Sequence, residues 1–215
     1  MSVKQAPGAP GIPARWTSSA KSGVGTALNA ASRVWFTLSH GIFNEIYYPR
    51  VDQACIRDLG LIVTNGTDYF SEEKRQADHK IEFLAKGVPA FRLVNACQEG
   101  RYRIEKEILS DPRRDAVLQH TNFIPMQGEL SDYHVFALLA PHLGNQGNHN
   151  DAWTDDYNGV EMLFAERDGT ALALACSTGW LKRSVGYVGT SDGWQDLNQH
   201  KLMQWQYTQA GNGAR

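Results

Sequence analysis

The stretch YRIEKEI, residues 102–108, alternates with a period of two. Tyr102, Ile104 and Ile108 share one face with Lys106, while Arg103, Glu105 and Glu107 share the other. Such a pattern specifies a half-buried antiparallel strand with a charged outer face. The same period runs through RVWFTL, GIFNEIYY, RDLGLIV, KIEFLA, FRLVNAC, AVLQHTNFI, YHVFALLAP, VEMLFAE, TALALAC and SVGYVG. Turn signals separate these runs. SHG is of hairpin length, Asn65-Gly66 suits a type I′ turn, and Gln98-Glu99-Gly100 and Asp168-Gly169 read as further hairpins. The reading is roughly a dozen strands, with Trp35 of RVWFTL in the core. QDLNQHKLMQWQYTQ is the single helix candidate, on an imperfect stripe of Leu197, Leu202, Met203 and Trp205. Many short strands with Gly-rich turns imply an all-β, large antiparallel sandwich.

Residues 1–32 break the pattern. Pro7, Pro10 and Pro13 with glycines between them, then a small polar stretch, predict an irregular segment lying on the sandwich. Residues 33–215 then form the sandwich. The tail ends on Gly211-Asn212-Gly213, a turn with no strand after it. An unpaired edge there is unfavourable, so the sandwich is expected to be clipped and the polypeptide to continue.

Composition removes several functions. Lys plus Arg total 21 and Asp plus Glu 23, a net charge of −2 without single-sign blocks. That is no footprint for nucleic acid or an anionic membrane. No apolar run approaches the length of a membrane span, and the N-terminus lacks the apolar core of a signal peptide. As written the chain reads as cytoplasmic, which leaves the compartment of a longer parent open. Cys55, Cys97 and Cys176 lie far apart and form no CxxC clip, so buried free thiols are expected.

Few residues suggest chemistry. Glu105 and Glu107 stand two apart on a strand, about 6.6–7 Å between α-carbons. That overlaps the carboxyl separation of inverting glycosidases. Arg103 shares their face, and a solvated charged surface is the better reading. The longest polar loop, Pro141 to Asp156, holds His142 and His149, with Asp151, Asp155 and Asp156 as calcium candidates. Its spacing fits no EF-hand and no HExxH, and side-chain turns of Asn and Asp are the favoured use, so no cofactor is implied. Trp16, Trp153 and Trp194 lie in irregular polar stretches and are the sugar-stacking candidates.

Three segments carry a resemblance: APGIPARWTSSAKSGVGTA, SRVWFTLSHGIFNEIYYPRVDQACIRDLGLIV and LLAPHLGN. Together they resemble the N-terminal domain of bacterial glucoamylases and glucodextranases, in glycoside hydrolase family fifteen, from Pro7 to about Gln209. The resemblance implies a super-β-sandwich of the galactose mutarotase type. It also implies a following (α/α)6 barrel that carries both catalytic glutamates, absent from this chain, so no catalytic residue is assigned here and the chain alone is expected to be inactive. The implied family reaction is inverting hydrolysis of terminal α-glucosidic bonds of α-glucans, releasing β-glucose.

On that reading YYPRVD projects from the end of a strand toward the barrel. Tyr47, Tyr48, Arg50 and Asp52 become candidates for the domain interface or the substrate rim. The local alternative packs both tyrosines in the sandwich and pairs Arg50 with Asp52 or Asp58. Two other functions compete: a free-standing carbohydrate-binding module, and a mutarotase-like enzyme. A strand-swapped homodimer is the expected oligomer if an edge is left open.

Overall fold

The computed structural model describes residues 3–211. Its strands form three antiparallel sheets. The first has six strands: β1 (Gly23–Thr26), β2 (Trp35–Ser39), β3 (Ile42–Tyr47), β4 (Ile56–Thr64), β5 (Phe70–Glu72) and β10 (His134–Pro141). The second runs in chain order through β6 (Ala77–Phe83), β7 (Phe91–Cys97), β8 (Tyr102–Ser110) and β9 (Val117–Pro125). The third contains β11 (Asp151–Tyr157), β12 (Val160–Arg167), β13 (Thr170–Ala175) and β14 (Gln209–Ala210), in the order β13-β12-β11-β14. Two short helices are added: α1 (Glu73–Gln76) and α2 (Gly193–His200).

Hairpin chemistry sets the local registers. His40 and Gly41 take φ of 51° and 71° between β2 and β3, and Asp168 and Gly169 take 50° and 76° between β12 and β13. Positive φ at both central residues is the primed turn that matches strand twist. Asn65-Gly66 behaves differently. Asn65 keeps an ordinary φ, and its side-chain oxygen accepts from the amides of Thr67, Asp68 and Tyr69, making a longer loop before β5.

The first two sheets face each other across a common core. Phe36, Leu38, Phe43 and Leu59 of the first sheet meet Phe91, Leu93 and Ile108 of the second. Phe36 stands edge-on to Phe43 and Phe91, with ring centroids 5.5 and 6.2 Å away. Leu61, Val63 and Tyr69 meet Cys97, Tyr102 and Ile104 further along. The third sheet adds Ala165, with Ala152, Leu172 and Leu174, to the first cluster. Each such large apolar side chain contributes about 1.5–3 kcal/mol when buried.

β8 buries alternate residues along its whole length, and Lys106 is one of them. Its ammonium pairs with Glu73 of α1, both side chains at 0% exposure. Lys106 Nζ also donates to the Gly41 carbonyl (3.3 Å), as does Asn95 Nδ2 (2.8 Å). Burial pushes the Glu73 carboxyl upward, and Lys106 pulls it back toward the charged form. Lys106 therefore ties β8 to α1 through Glu73, and to the β2–β3 turn through the Gly41 carbonyl.

Several expectations are corrected. The 1–32 segment is not wholly irregular, because Gly23–Thr26 pairs with β2 as an edge strand. Gly25 permits this: a Cβ there would lie 2.1 Å from the Phe36 ring. Trp35 is exposed, since Phe36 and Leu38 take the core face of β2. SVGYVG is not a strand. The Tyr187 carbonyl instead accepts from the amides of Thr190, Ser191 and Asp192, closing a turn. The helix candidate keeps only its first part. Asp192 caps α2 through the amides of Trp194 and Gln195, and Lys201 ends it at φ 60°. Cys55 and Cys97 are buried, but Cys176 is partly exposed. Of the terminal turn, Asn212 and Gly213 lie outside the described residues. No helix among the described residues is long and apolar enough to cross a membrane.

Candidate functional site

β3 ends at Tyr47, and the chain turns through Pro49 to Asp52 before returning as β4. Tyr47 stays against the sheet. Its hydroxyl donates to Glu45 (2.5 Å), which also receives Lys21 (2.7 Å). Burial, then the Glu45 contact, pushes the Tyr47 phenol up to about 12. Tyr48 packs its ring against the core, with its hydroxyl accepting from Arg33 (2.5 Å) and the Arg33 guanidinium 4.7 Å from the ring centroid. Asp115 closes the group by accepting from the Arg33 backbone and side chain at 2.6 and 2.7 Å, which holds its carboxyl below the ordinary value.

Arg50 and Asp52 stand at the tip. They form a two-pronged pair (2.9 and 2.7 Å), with 69% and 59% of their side chains exposed. A pair so open to water adds little to stability. It does present a guanidinium and a carboxylate together on the surface.

The loop after β10 is tied to this tip. Asn145, at φ 66°, accepts from the Ala54 amide (2.8 Å) and donates to the Asp52 carbonyl (2.7 Å). The His142 amide bonds the Cys55 carbonyl (2.8 Å), and its ring is buried with Nδ1 2.6 Å from the Pro141 carbonyl. Burial holds the His142 imidazole below its ordinary pKa. Trp16 meets that ring edge-on at 4.7 Å and remains half exposed. Three segments far apart in sequence thus form one end of the sandwich.

A cleft of about 420 Å³ runs beside this end, between β4, β10, the third sheet and α2. Its polar edge is a charge cluster. Asp58 receives Arg57 (3.1 Å) and Lys74 (3.0 Å), and Lys74 also donates to Thr17 (2.7 Å). Trp194, expected in a loop, sits in the first turn of α2 and lines the cleft. Its indole donates to Glu72 (3.2 Å) and its ring meets the edge of Phe70.

The remaining candidates lie elsewhere. Glu105 pairs with Arg103 (3.0 Å) and Glu107 with Arg92 (2.8 Å), all partly exposed, as a solvated strand face requires. The polar loop is shorter than expected, because β11 begins at Asp151. Trp153, Asp155 and Asp156 are therefore strand residues. Asp151 stands four positions from Asp155, about 13 Å along the strand. Among the described residues no three His, Cys, Asp or Glu side chains gather as a metal ion would need. Arg33, Lys74 and Asn145 were not anticipated, and Asp58, considered as a partner for Arg50, instead receives Arg57 and Lys74. Only Asn145 carried a signal, as a residue type that tolerates positive φ.

Comparison with known proteins identifies the family of this fold. The family model described as "Glucodextranase, domain N" matches residues 6–214. A glucoamylase from Clostridium sp. (strain G0005) is 38% identical over 201 residues, 94% of this chain and 29% of that protein. The crystal structure of a bacterial glucoamylase complexed with acarbose superposes with a TM-score of 0.96 at 37% identity, covering 99% of this chain and 32% of that one. The chain thus spans under a third of the length of these relatives. It belongs to the glucodextranase domain N family, the N-terminal β-sandwich of glucoamylase-type enzymes.

Proposed function

We propose that this chain is the non-catalytic N-terminal domain of a hydrolase that removes glucose from the non-reducing ends of α-glucans. The observation that carries the reading is the match along 99% of this chain to a glucoamylase about three times as long. Catalysis then belongs to a barrel on the same polypeptide. Inverting hydrolysis needs one carboxylic acid to protonate the leaving oxygen and one carboxylate to activate water from the opposite face. Glu105 and Glu107 are poorly suited to that work. Both are paired with arginines on a partly exposed strand face.

The sandwich supports the barrel and completes the rim of its pocket. The tip of the β3–β4 loop supplies Arg50 and Asp52, whose fork and carboxylate hydrogen-bond either a facing domain or sugar hydroxyls. Tyr48 with Arg33, and Asn145 with Asp52, hold that tip in place.

Glucose release from maltotriose tests the reading. The 215-residue chain is expected to release none, and the parent-length protein to release it readily. Release by the chain alone refutes the proposal and requires a self-contained site. In the parent-length protein, Arg50→Ala is expected to lower thermal stability or raise KM. Unchanged kinetics together with unchanged melting refute the rim and interface roles.

A further inference from the structure

A second cavity, about 370 Å³, opens at the free edge of β11, on the third sheet. It lies within the range of small-ligand sites. Its walls are Trp153, Asp155, Asp156 and Arg183, with Thr208 and Gln209 beside them. β14 pairs with β11 through Ala152 and Trp153, and the Thr154 amide donates to the Thr208 carbonyl (3.0 Å); among the described residues no strand pairs with that edge from Asp155 onward. Arg183 occupies that edge. Its Nη1 donates to the carbonyls of Asp155 (2.8 Å) and Met162 (3.0 Å), and its Nη2 reaches Asp156 (3.3 Å) and Glu161 (2.9 Å). The Arg183 side chain is only 9% exposed, while Asp156 is 48% exposed.

Trp153 supplies the apolar surface. Phe164, its partner across the β11–β12 pair, stacks on one face with centroids 5.3 Å apart and planes at 14°. Trp153 lines the cavity and Phe164 does not. A rigid aromatic wall beside the Asp155 carboxylate, on a strand edge held by a mostly buried arginine, suits a ligand with one apolar face and a rim of hydroxyls. The pyranose ring has that chemistry: C–H groups for the indole, and O–H donors for acceptor-only carboxylates.

From this we infer that the Trp153 cavity is a carbohydrate-binding subsite, separate from the loop end, that takes a glucosyl unit of an α-glucan. The identity of the sugar rests on the hydrolase reading above. Asp155, on the same face of β11 as Trp153, accepts hydroxyl protons, Trp153 stacks on the ring, and Arg183 holds the strand edge through the Asp155 carbonyl and the Asp156 carboxylate. Such a site would hold the polymer near the enzyme without taking part in bond cleavage.

Titration of the ¹⁵N-labelled chain with maltotriose, followed by NMR, tests this. Shifts are expected at the Trp153 indole and at the amides of Asp155, Asp156 and Gln209, with a dissociation constant on the order of 1 mM for one bound ring. Trp153→Ala should weaken binding at least about tenfold, the loss expected when a main aromatic anchor is removed. Asp155→Asn leaves the Phe164 stack intact and should also weaken binding, so it decides the matter if Trp153→Ala fails to fold. Absence of shifts, shifts confined to Trp16 or Trp194, or wild-type affinity in Asp155→Asn overturn the inference. If the chain does not bind maltotriose while the parent-length protein still releases glucose, this subsite fails and the hydrolase reading stands.

Discussion

Lys106→Met is the sharpest perturbation of the fold. Lys106 and Glu73 are each wholly buried, and each is the other's counter-charge. Removing the lysine leaves a carboxylate in the core with no cation. Breaking a buried pair in this way costs about 3–5 kcal/mol. For a chain of this size each kcal/mol lowers Tm by about 2–4 °C, so the expected drop is about 6–20 °C. The Gly41 carbonyl keeps Asn95 as a donor, so little is lost there. Replacing both charges, as Lys106→Met with Glu73→Leu, should recover most of the loss, because a well-packed apolar pair avoids the desolvation cost. Urea unfolding of the four proteins in the cycle measures the coupling directly. A single variant that costs under about 1 kcal/mol, or single effects that add within about 0.5 kcal/mol, would refute the buried-pair argument.

Other outcomes follow from single contacts. Gly25→Ala drives a methyl into the Phe36 ring and should cost about 1–3 kcal/mol in urea unfolding, and unchanged stability would show that β1 can lift from the sheet. Asp192→Ala removes the cap of α2 and should cost about 1 kcal/mol, with amide exchange rising at Trp194 and Gln195. His142 has a folded pKa below its unfolded value, so its contribution is complete above about pH 6.5 and is lost as pH falls through the folded value. Melting from pH 8 to pH 5 should therefore fall less steeply in His142→Asn than in the wild type, and equal slopes would exclude the histidine.

Much of the fold was legible because its signals are local. The alternation in YRIEKEI placed Lys106 with Tyr102, Ile104 and Ile108 on one face, and the structure buries all four. His40-Gly41 and Asp168-Gly169 marked their hairpins, because positive φ is a property of the turn itself. The errors share a cause. Trp35 alternates as clearly as Phe36, and only the facing sheet decides which of the two is covered. Gly23–Thr26 has no apolar pattern, and it becomes a strand because β2 offers it an edge. Trp153 and Trp194 sat in polar stretches, where neighbouring Asn, Asp and Gly hid a strand start and a capped helix.

The candidate surface was legible only in pieces. YYPRVD and LLAPHLGN each stood out, but nothing local joins Asp52 to Asn145, which lie 93 positions apart. The sequence by itself determined most of the strands, several of the turns and the family, because alternation, turn chemistry and extended similarity are all written along the chain. The tertiary structure alone decided that Lys106 meets Glu73, that Arg33 clamps Tyr48 through Asp115, and that Arg183 braces the β11 edge through the Asp155 carbonyl and the Asp156 carboxylate. Those pairings depend on how sheets pack, and a period of two specifies which face is inward without specifying what it will meet.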